Sequence, residues 1–126
     1  IGSLPQGYVQ NVTGVPAYRD AINAGELPVA RGVALQGEDR MRRDIIERLM
    51  CDLRVDLNAI AAGYHLTPAV FSASLEQISP LAERGVVEIC DGTIIVSPAW
   101  RSAVRLVCAA FDQYLPRQTA RHSMAV

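Results

Sequence analysis

Arginines carry most of the chemical potential of this chain, and they concentrate between positions 31 and 57. All twelve basic residues are arginine, and lysine is absent, which excludes Schiff-base chemistry and a phosphate-loop lysine within the chain. Arg42 and Arg43 fall in residues 37–52, where the apolar spacing predicts an amphipathic helix, and Arg31 precedes it. A guanidinium can bind a carboxylate through two parallel hydrogen bonds. One or two of the helix arginines, which are Arg40, Arg42, Arg43 and Arg48, are therefore candidates to bind an anionic substrate or a carboxylate of a partner domain.

The same helix carries acids that could neutralise its arginines. Helical spacing brings together Asp39 with Arg43 and Asp44 with Arg48, at separations where opposite charges stabilise a helix. Under this alternative the face is solvated and neutralised by its own acids. The sequence leaves both interpretations open.

Cysteine spacing argues against a metal centre built from this chain alone. Cys51, Cys90 and Cys108 are 39 and 18 residues apart, so no CxxC or CxxxCxxC motif exists. Cys51 and Cys108 fall in apolar helical runs and are predicted to be small buried hydrophobes. Free thiols favour a reducing compartment, and the cytoplasm is the expected location. No serine nucleophile motif or isolated pair of carboxylates is present, so the chain shows no catalytic machinery of its own.

Composition limits the class of partner. The 126 residues are enough for about one domain, and half of them are hydrophobic. A net charge of −1 gives no long-range attraction for nucleic acid or an anionic membrane. No apolar run approaches the roughly 20 residues that would span a bilayer. We therefore expect neither a nucleic-acid nor a membrane partner.

The element pattern predicts a mostly α-helical chain with one small β-hairpin. Asp91-Gly92, between two β-rich runs, is a strong hairpin signal. The long helix should bury one face, formed by Met41, Ile45, Leu49, Met50 and Leu53. The predicted order is an extended connector without a strand partner (1–14), a helix (15–24), a loop (27–36), the long helix (37–52), a short helix capped by Asp56 (56–62), a helix that Pro80 should kink (67–84), the hairpin (86–96) and a last helix (97–115).

Helix, short helix, helix, hairpin is the order of a winged helix, which raises the question of DNA binding. In a DNA-binding winged helix the third helix enters the major groove and needs basic or amide side chains. Here that helix carries Glu76 and Glu83 against the single Arg84, and the turn of the hairpin contains Asp91. Phosphate contacts supply most non-specific affinity. The winged-helix-like domain is therefore predicted to be a scaffold or packing module.

Several segments together resemble one enzyme family over nearly the whole chain. The chain resembles the C-terminal domain of oxygen-independent coproporphyrinogen III oxidase (dehydrogenase), a radical S-adenosylmethionine (SAM) enzyme of haem biosynthesis. The central RRDIIERLMCD run is specific, whereas the AERGVV run alone is weak. The segments are GYVQN (7–11), LPVARGVAL (27–35), DRMRRDIIERLMCDLRVDL (39–57), PLAERGVVE (80–88) and ARHSMAV (120–126).

The resemblance implies a larger, monomeric protein. In that family an N-terminal radical SAM barrel holds a 4Fe–4S cluster through three cysteines, and two propionates of the porphyrinogen substrate lose CO₂ to give the vinyl groups of protoporphyrinogen IX. The barrel would be this chain's partner. Residues 1–14 would then be the connector from the barrel, 15–116 the helical domain that helps cover the active site, and 117–126 a tail. The isolated chain is expected to be inactive and to bind no cluster or SAM.

The resemblance also suggests roles for individual residues. Aligned through GYVQN, Ile1 matches the isoleucine that contacts a second SAM in this family. A cationic surface of Arg31, Arg42 and Arg43 could hold propionates that are not reacting. The related haem chaperone and a free-standing winged-helix binding or regulatory module are the two alternatives.

Overall fold

A computed structural model describes residues 2–115, in which the chain divides into two compact units. The first unit ends at Gly37 and the second begins at Glu38. Helices predominate in the described range, and each unit contains one small antiparallel sheet. The prediction of a mostly helical chain with a β-hairpin is confirmed at this level. None of the helices between residues 2 and 115 has the length and apolar character needed to cross a bilayer.

The first unit contains more strand than the sequence indicated. Its antiparallel sheet has the order β1-β2-β3, with β1 at Gly2–Leu4, β2 at Gly7–Asn11 and β3 at Val29–Ala34. Two predictions are therefore wrong: residues 1–14 include paired strands, and the predicted loop at 27–36 contains β3. The sequence hid these strands because every residue of β1 and β3 is exposed, so no alternation of apolar and polar residues marks them.

Helix α1, Val15–Asn23, is the third part of this unit and follows the prediction. Pro16 lies in its first turn, and Gly25 adopts a φ of +74° just beyond its end. No residue of α1 is buried. The helix therefore contributes nothing to a core within its own unit.

The second unit is a helical body with a three-stranded sheet. The sheet contains β4 (Arg54–Asp56), which follows the first helix of this unit, and the two hairpin strands β5 (Val87–Cys90) and β6 (Thr93–Val96). Its order is β4-β6-β5, so β4 pairs with the hairpin. The three-residue strand β4 was not predicted. The elements are α2 (Asp39–Asp52), β4 (Arg54–Asp56), α3 (Leu57–Gly63), a 3-10 turn (Pro68–Phe71), α4 (Ser72–Glu83), β5 (Val87–Cys90), β6 (Thr93–Val96), a second 3-10 turn (Pro98–Ala103) and α5 (Val104–Ala109).

Aliphatic side chains around two phenylalanines form the core of the second unit. Phe71 and Phe111 are fully buried and meet edge to face, with ring centroids 6.4 Å apart. Helix α2 contributes Met41, Ile45 and Leu49, as its spacing predicted, and all three are fully buried. The inclusion of Met50 in that face was wrong, since its side chain is 39% exposed.

The β-hairpin and the short helix α3 are joined by specific polar contacts. Asp91 and Gly92 both have positive φ, as a tight hairpin turn requires, which confirms the predicted turn. The Asn58 side-chain amide donates to the Asp91 carbonyl at 2.8 Å and ties the turn to α3. Asp56 caps α3 as predicted, because its carboxylate accepts from the Ala59 amide at 3.0 Å.

The last predicted helix is shorter than expected. The backbone of Trp100 leaves the helical region (φ −110°, ψ 24°), so a 3-10 turn precedes α5, which ends at Ala109. Trp100 itself is 48% exposed. Pro80 lies inside α4, which continues to Glu83. The predicted tail, 117–126, lies outside the described residues.

Candidate functional site

Arg42 and Arg43 of helix α2 point in different directions, since consecutive positions on a helix are about 100° apart. Arg42 forms an ion pair with Glu38, with Nη2 and Oε2 2.9 Å apart. The Arg42 Nε is buried and has no hydrogen-bond partner among residues 2–115. The charge of Arg42 is thus offset by a neighbour, while one of its donors remains available for an acceptor.

Arg42 lines a groove of about 660 Å³ in the second unit. One wall comes from α4 and the turn before it, and the other comes from α5 and the residues after it. Both apolar and polar side chains line it, which suits a ligand or partner of mixed character. The lining residues are Arg42, Val70, Ala73, Ser74, Gln77, Leu106, Ala109, Ala110, Asp112, Gln113, Tyr114 and Leu115.

Tyr114, which lines this groove, is held by a hydrogen bond to an aspartate. The Tyr114 hydroxyl donates to Asp39 Oδ2 at 2.7 Å, and Asp39 is only 8% exposed. This hydrogen bond, together with burial of the hydroxyl, raises the pKa of Tyr114 above its ordinary value. Asp39 lies at the start of α2, where its charge also favours the helix dipole. Among the residues that line the groove, the positive charge of Arg42 is matched by the negative charge of Asp112.

Arg43 contacts Asp44, with Nη2 and Oδ1 3.4 Å apart, and Asp44 also accepts a 2.5 Å hydrogen bond from the Tyr64 hydroxyl. Glu38–Arg42 and Arg43–Asp44, the ion pairs found between described residues, are not the two pairs that helical spacing suggested. Burial raises the pKa of the Tyr64 hydroxyl, and the hydrogen bond to Asp44 adds to the effect. The Tyr64–Asp44 contact ties α2 to the end of α3.

We expect Tyr64→Phe to lower the free energy of unfolding by about 1 kcal/mol at neutral pH, because a partly exposed hydrogen bond to a carboxylate is lost. A raised folded-state pKa means that this stabilisation is complete below the unfolded tyrosine pKa of about 10 and declines as pH rises through the higher folded value. The variant should therefore lose less stability than the parent on going from neutral to strongly alkaline pH. Urea unfolding at several pH values measures both effects. Tyr18→Phe, at an exposed position of α1, is the control, and an equal loss in both variants would contradict the assignment.

Arg31, the third predicted arginine, lies in the first unit. Its Nε donates to Gln10 Oε1 at 2.8 Å, and the two residues face each other across strands β2 and β3. Arg42 and Arg43 belong to the second unit and contact different acids. Each of the three thus has a partner within its own unit.

The cysteines do not form a metal site in the described part of the chain. Cys51 and Cys90 are exposed, and Cys108 is buried, where burial raises the pKa of its thiol. The prediction of a buried Cys51 was wrong, because the residue lies on the solvent side of α2. Among residues 2–115 no three potential metal ligands come together, so these residues do not fit a 4Fe–4S cluster. Ile1, the predicted contact to a second SAM, lies outside the described residues.

The chain is similar in sequence and in structure to known proteins. No protein-family model matches the chain. Over all 126 residues it is 42% identical to the oxygen-independent coproporphyrinogen III oxidase of Bradyrhizobium diazoefficiens, and over 122 residues it is 36% identical to that of Salmonella typhimurium. Along its whole length the chain is homologous to part of proteins named oxygen-independent coproporphyrinogen III oxidase. It corresponds to the C-terminal part of these proteins and spans 28% and 26% of their lengths.

A solved structure supports the same family. The coproporphyrinogen III oxidase of Escherichia coli, described as a radical SAM enzyme, matches 89% of the chain with a TM-score of 0.79 and 31% sequence identity. The match covers 26% of the E. coli chain. The resemblance of the quoted segments to the oxidase family is confirmed.

The groove is the part of the site that the sequence did not reveal. Its lining comes from three separate segments: α2, the region of α4, and residues 106–115. Ser74 donates to the Ala110 carbonyl at 2.8 Å and links two of these segments. A small polar residue at a buried helix position was the available signal, but the sequence alone could not supply its partner 36 residues away.

Proposed function

We propose that this chain is the C-terminal part of an anaerobic coproporphyrinogen III oxidase and helps cover the active site of the complete enzyme. In the proposed reaction each of two propionates of coproporphyrinogen III loses a hydrogen atom to a radical derived from SAM, one electron to an electron acceptor, and CO₂, which leaves a vinyl group. The product would be protoporphyrinogen IX, an intermediate of haem biosynthesis in the cytoplasm. Similarity along the whole chain to proteins that carry this oxidase name is the observation behind the proposal.

The complete enzyme would need a catalytic part that supplies the SAM chemistry. The residues described here do not fit an iron–sulfur cluster, so we assign SAM and a 4Fe–4S cluster to the barrel expected in the preceding part of the protein. The E. coli relative is described as a radical SAM enzyme, which supports that assignment. The present chain would contribute substrate contacts and shelter from water.

We propose that the second unit is a winged-helix-like packing module. Its order of α2, β4, α3, α4 and a hairpin that pairs with β4 supports this description. Both Glu76 and Glu83 are exposed on α4, the helix that would face DNA in a DNA-binding winged helix. Their charge opposes phosphate, so the proposal includes no nucleic-acid partner.

We propose that Arg31, Arg42 and Arg43 contact propionates of the substrate, and we predict that neutralising them affects substrate binding. In the full-length enzyme, replacing all three by Gln should raise KM for the porphyrinogen by at least about tenfold, since even one charge-assisted hydrogen bond is worth about 1.5–3 kcal/mol. Steady-state kinetics under anaerobic conditions measures the change.

Matched variants separate a binding role from a structural role. Arg48→Gln neutralises an exposed arginine on the same helix and should leave KM unchanged. Arg42→Gln also removes the ion pair to Glu38, so its melting temperature must be recorded beside its KM. A fall in melting temperature with an unchanged KM in the triple variant would assign these arginines to stability alone.

Ile1 remains a proposed contact to a second SAM. The proposal rests on the alignment through GYVQN, where an apolar side chain against the adenosyl group would be stabilised by about 1.5–3 kcal/mol. In the complete enzyme, Ile1→Ala should weaken the second SAM site and spare the cluster-bound one. Calorimetry measures both, and unchanged affinity and stoichiometry would contradict the role.

The proposed function is tested with the product of the complete gene. After anaerobic iron–sulfur reconstitution, the protein should convert coproporphyrinogen III to protoporphyrinogen IX when SAM and a reductant are supplied. A protein that binds haem without decarboxylation would be the chaperone. A gene that encodes no preceding barrel would favour a free-standing module.

A further inference from the structure

The first unit lacks a core of its own. Between Gly2 and Gly37 no large apolar side chain is buried, and the buried positions are Gly7 and Pro28. The core cluster of the described chain starts at Met41. A unit of this size with no buried apolar side chains lacks the main source of folding free energy. The apolar side chains of its strands and helix therefore need to pack against another folded part.

Helix α1 presents the clearest surface for that cover. Val15, Tyr18 and Ile22 are 76%, 42% and 49% exposed. At three and four residues apart they fall within about 60° of one another on a helix, so they form a continuous apolar stripe. Leu27, just after the helix, is 82% exposed and adds to the apolar surface of the unit. We call Val15, Tyr18 and Ile22 the α1 stripe.

We infer that the α1 stripe is the surface on which the preceding, catalytic part of the protein packs. This inference rests on the proposed function and adds the surface through which the two parts meet. The chain spans about a quarter of the relatives it matches, so most of each relative lies outside the matched part and is available as the occupant. In this arrangement residues 2–37 belong to the catalytic domain. The boundary with the second unit then lies at Gly37–Glu38.

Hydrogen exchange of the α1 backbone amides tests the inference. Rates are measured for peptides that cover residues 15–23 in the 126-residue chain and in the full-length protein. Packing of the stripe should slow exchange by at least tenfold in the full-length protein. Equal rates in the two proteins would overturn the inference, and this comparison needs no substitution.

Two matched variants show whether the stripe itself is responsible. In the full-length protein Ile22→Asp should return α1 exchange to the rate of the 126-residue chain. Leu106→Asp, at a residue of α5 that is 61% exposed, should leave α1 exchange unchanged. If Leu106→Asp accelerates α1 exchange as much as Ile22→Asp does, the stripe is not the contact.

The remaining outcomes separate this inference from the proposed function. Slower α1 exchange at higher concentration of the 126-residue chain would identify a second copy as the occupant and overturn the inference. A full-length protein with a protected α1 and no decarboxylase activity would contradict only the proposed function. An active enzyme with an unprotected α1 would contradict only the docking surface.

Discussion

Phe111→Ala should lower the free energy of unfolding of the second unit by about 3–5 kcal/mol. Phe111 is fully buried and packs edge to face against Phe71, so the substitution removes both the transfer free energy of the ring and an aromatic contact. The other fully buried side chains of the core are aliphatic or methionine, so the space left by the ring stays unfilled. Because domains are stable by only about 5–15 kcal/mol, this loss would remove a large fraction of the stability of the unit. Urea denaturation followed by circular dichroism measures the loss.

Leu106→Ala is the matched control for this prediction. Leu106 lies on the same helix, α5, but is 61% exposed, so its replacement should change stability by no more than about 0.5 kcal/mol. Similar losses in the two variants would show that the Phe71–Phe111 contact is not the centre of the core.

Gly7→Ala should disrupt the sheet of the first unit. A Cβ at Gly7 would lie 2.0 Å from the Val33 carbonyl oxygen and 3.0 Å from the Ala34 Cα. These are backbone atoms of the paired strand β3, so no side-chain rotation relieves the clash. Overpacking costs about 1–3 kcal/mol where side chains can adjust, and the cost here should be at the upper end or above it. Hydrogen exchange of the amides in residues 7–11 and 29–34 should become faster.

Gly14→Ala provides the comparison within the same unit. Nothing lies within 4 Å of a Cβ at this position, and the backbone φ of −81° suits any L-residue. Its exchange pattern should match that of the parent. Protected strands in Gly7→Ala would contradict the β2–β3 register.

The second unit could be predicted from sequence because local signals and burial agree there. Met41, Ile45 and Leu49 recur at helical spacing and are buried, and Asp56 caps α3 as its position indicated. Asp91-Gly92 has the positive φ values that this pair favours in a hairpin. Positions that are buried at regular intervals carry apolar residues at the same intervals. This pattern can be recognised in the sequence, so these elements were predicted.

The first unit was missed because its strands have no buried face. The VARGVA segment of β3 is exposed at every position, so neither alternation nor an apolar run distinguishes it from a loop. The pairing of Tyr8 with Val33 joins residues 25 positions apart, and short-range patterns do not encode such a contact. The apolar side chains of α1 in the same unit are exposed as well, which led to the inference that the α1 stripe packs against a partner.

The groove shows a similar limit for the candidate site. The cluster of arginines was visible in sequence, but the distribution of their partners was not. Arg42 turns to Glu38 and the groove, whereas Arg43 turns to Asp44. The Tyr114–Asp39 hydrogen bond spans 75 residues and depends on the packing of α5 against α2. Residue types therefore indicated anion binding, while the structure determines which charges are already paired.

A chimaeric enzyme tests most directly whether this chain is the C-terminal part of an oxidase. The present 126 residues would replace the matching C-terminal part of the E. coli oxidase, with which they share 31% sequence identity and a common fold. We expect the reconstituted chimaera to convert coproporphyrinogen III to protoporphyrinogen IX at a rate within about tenfold of the parent, a barrier change of about 1.4 kcal/mol. A folded chimaera with an intact cluster and no detectable decarboxylation would contradict the proposed function.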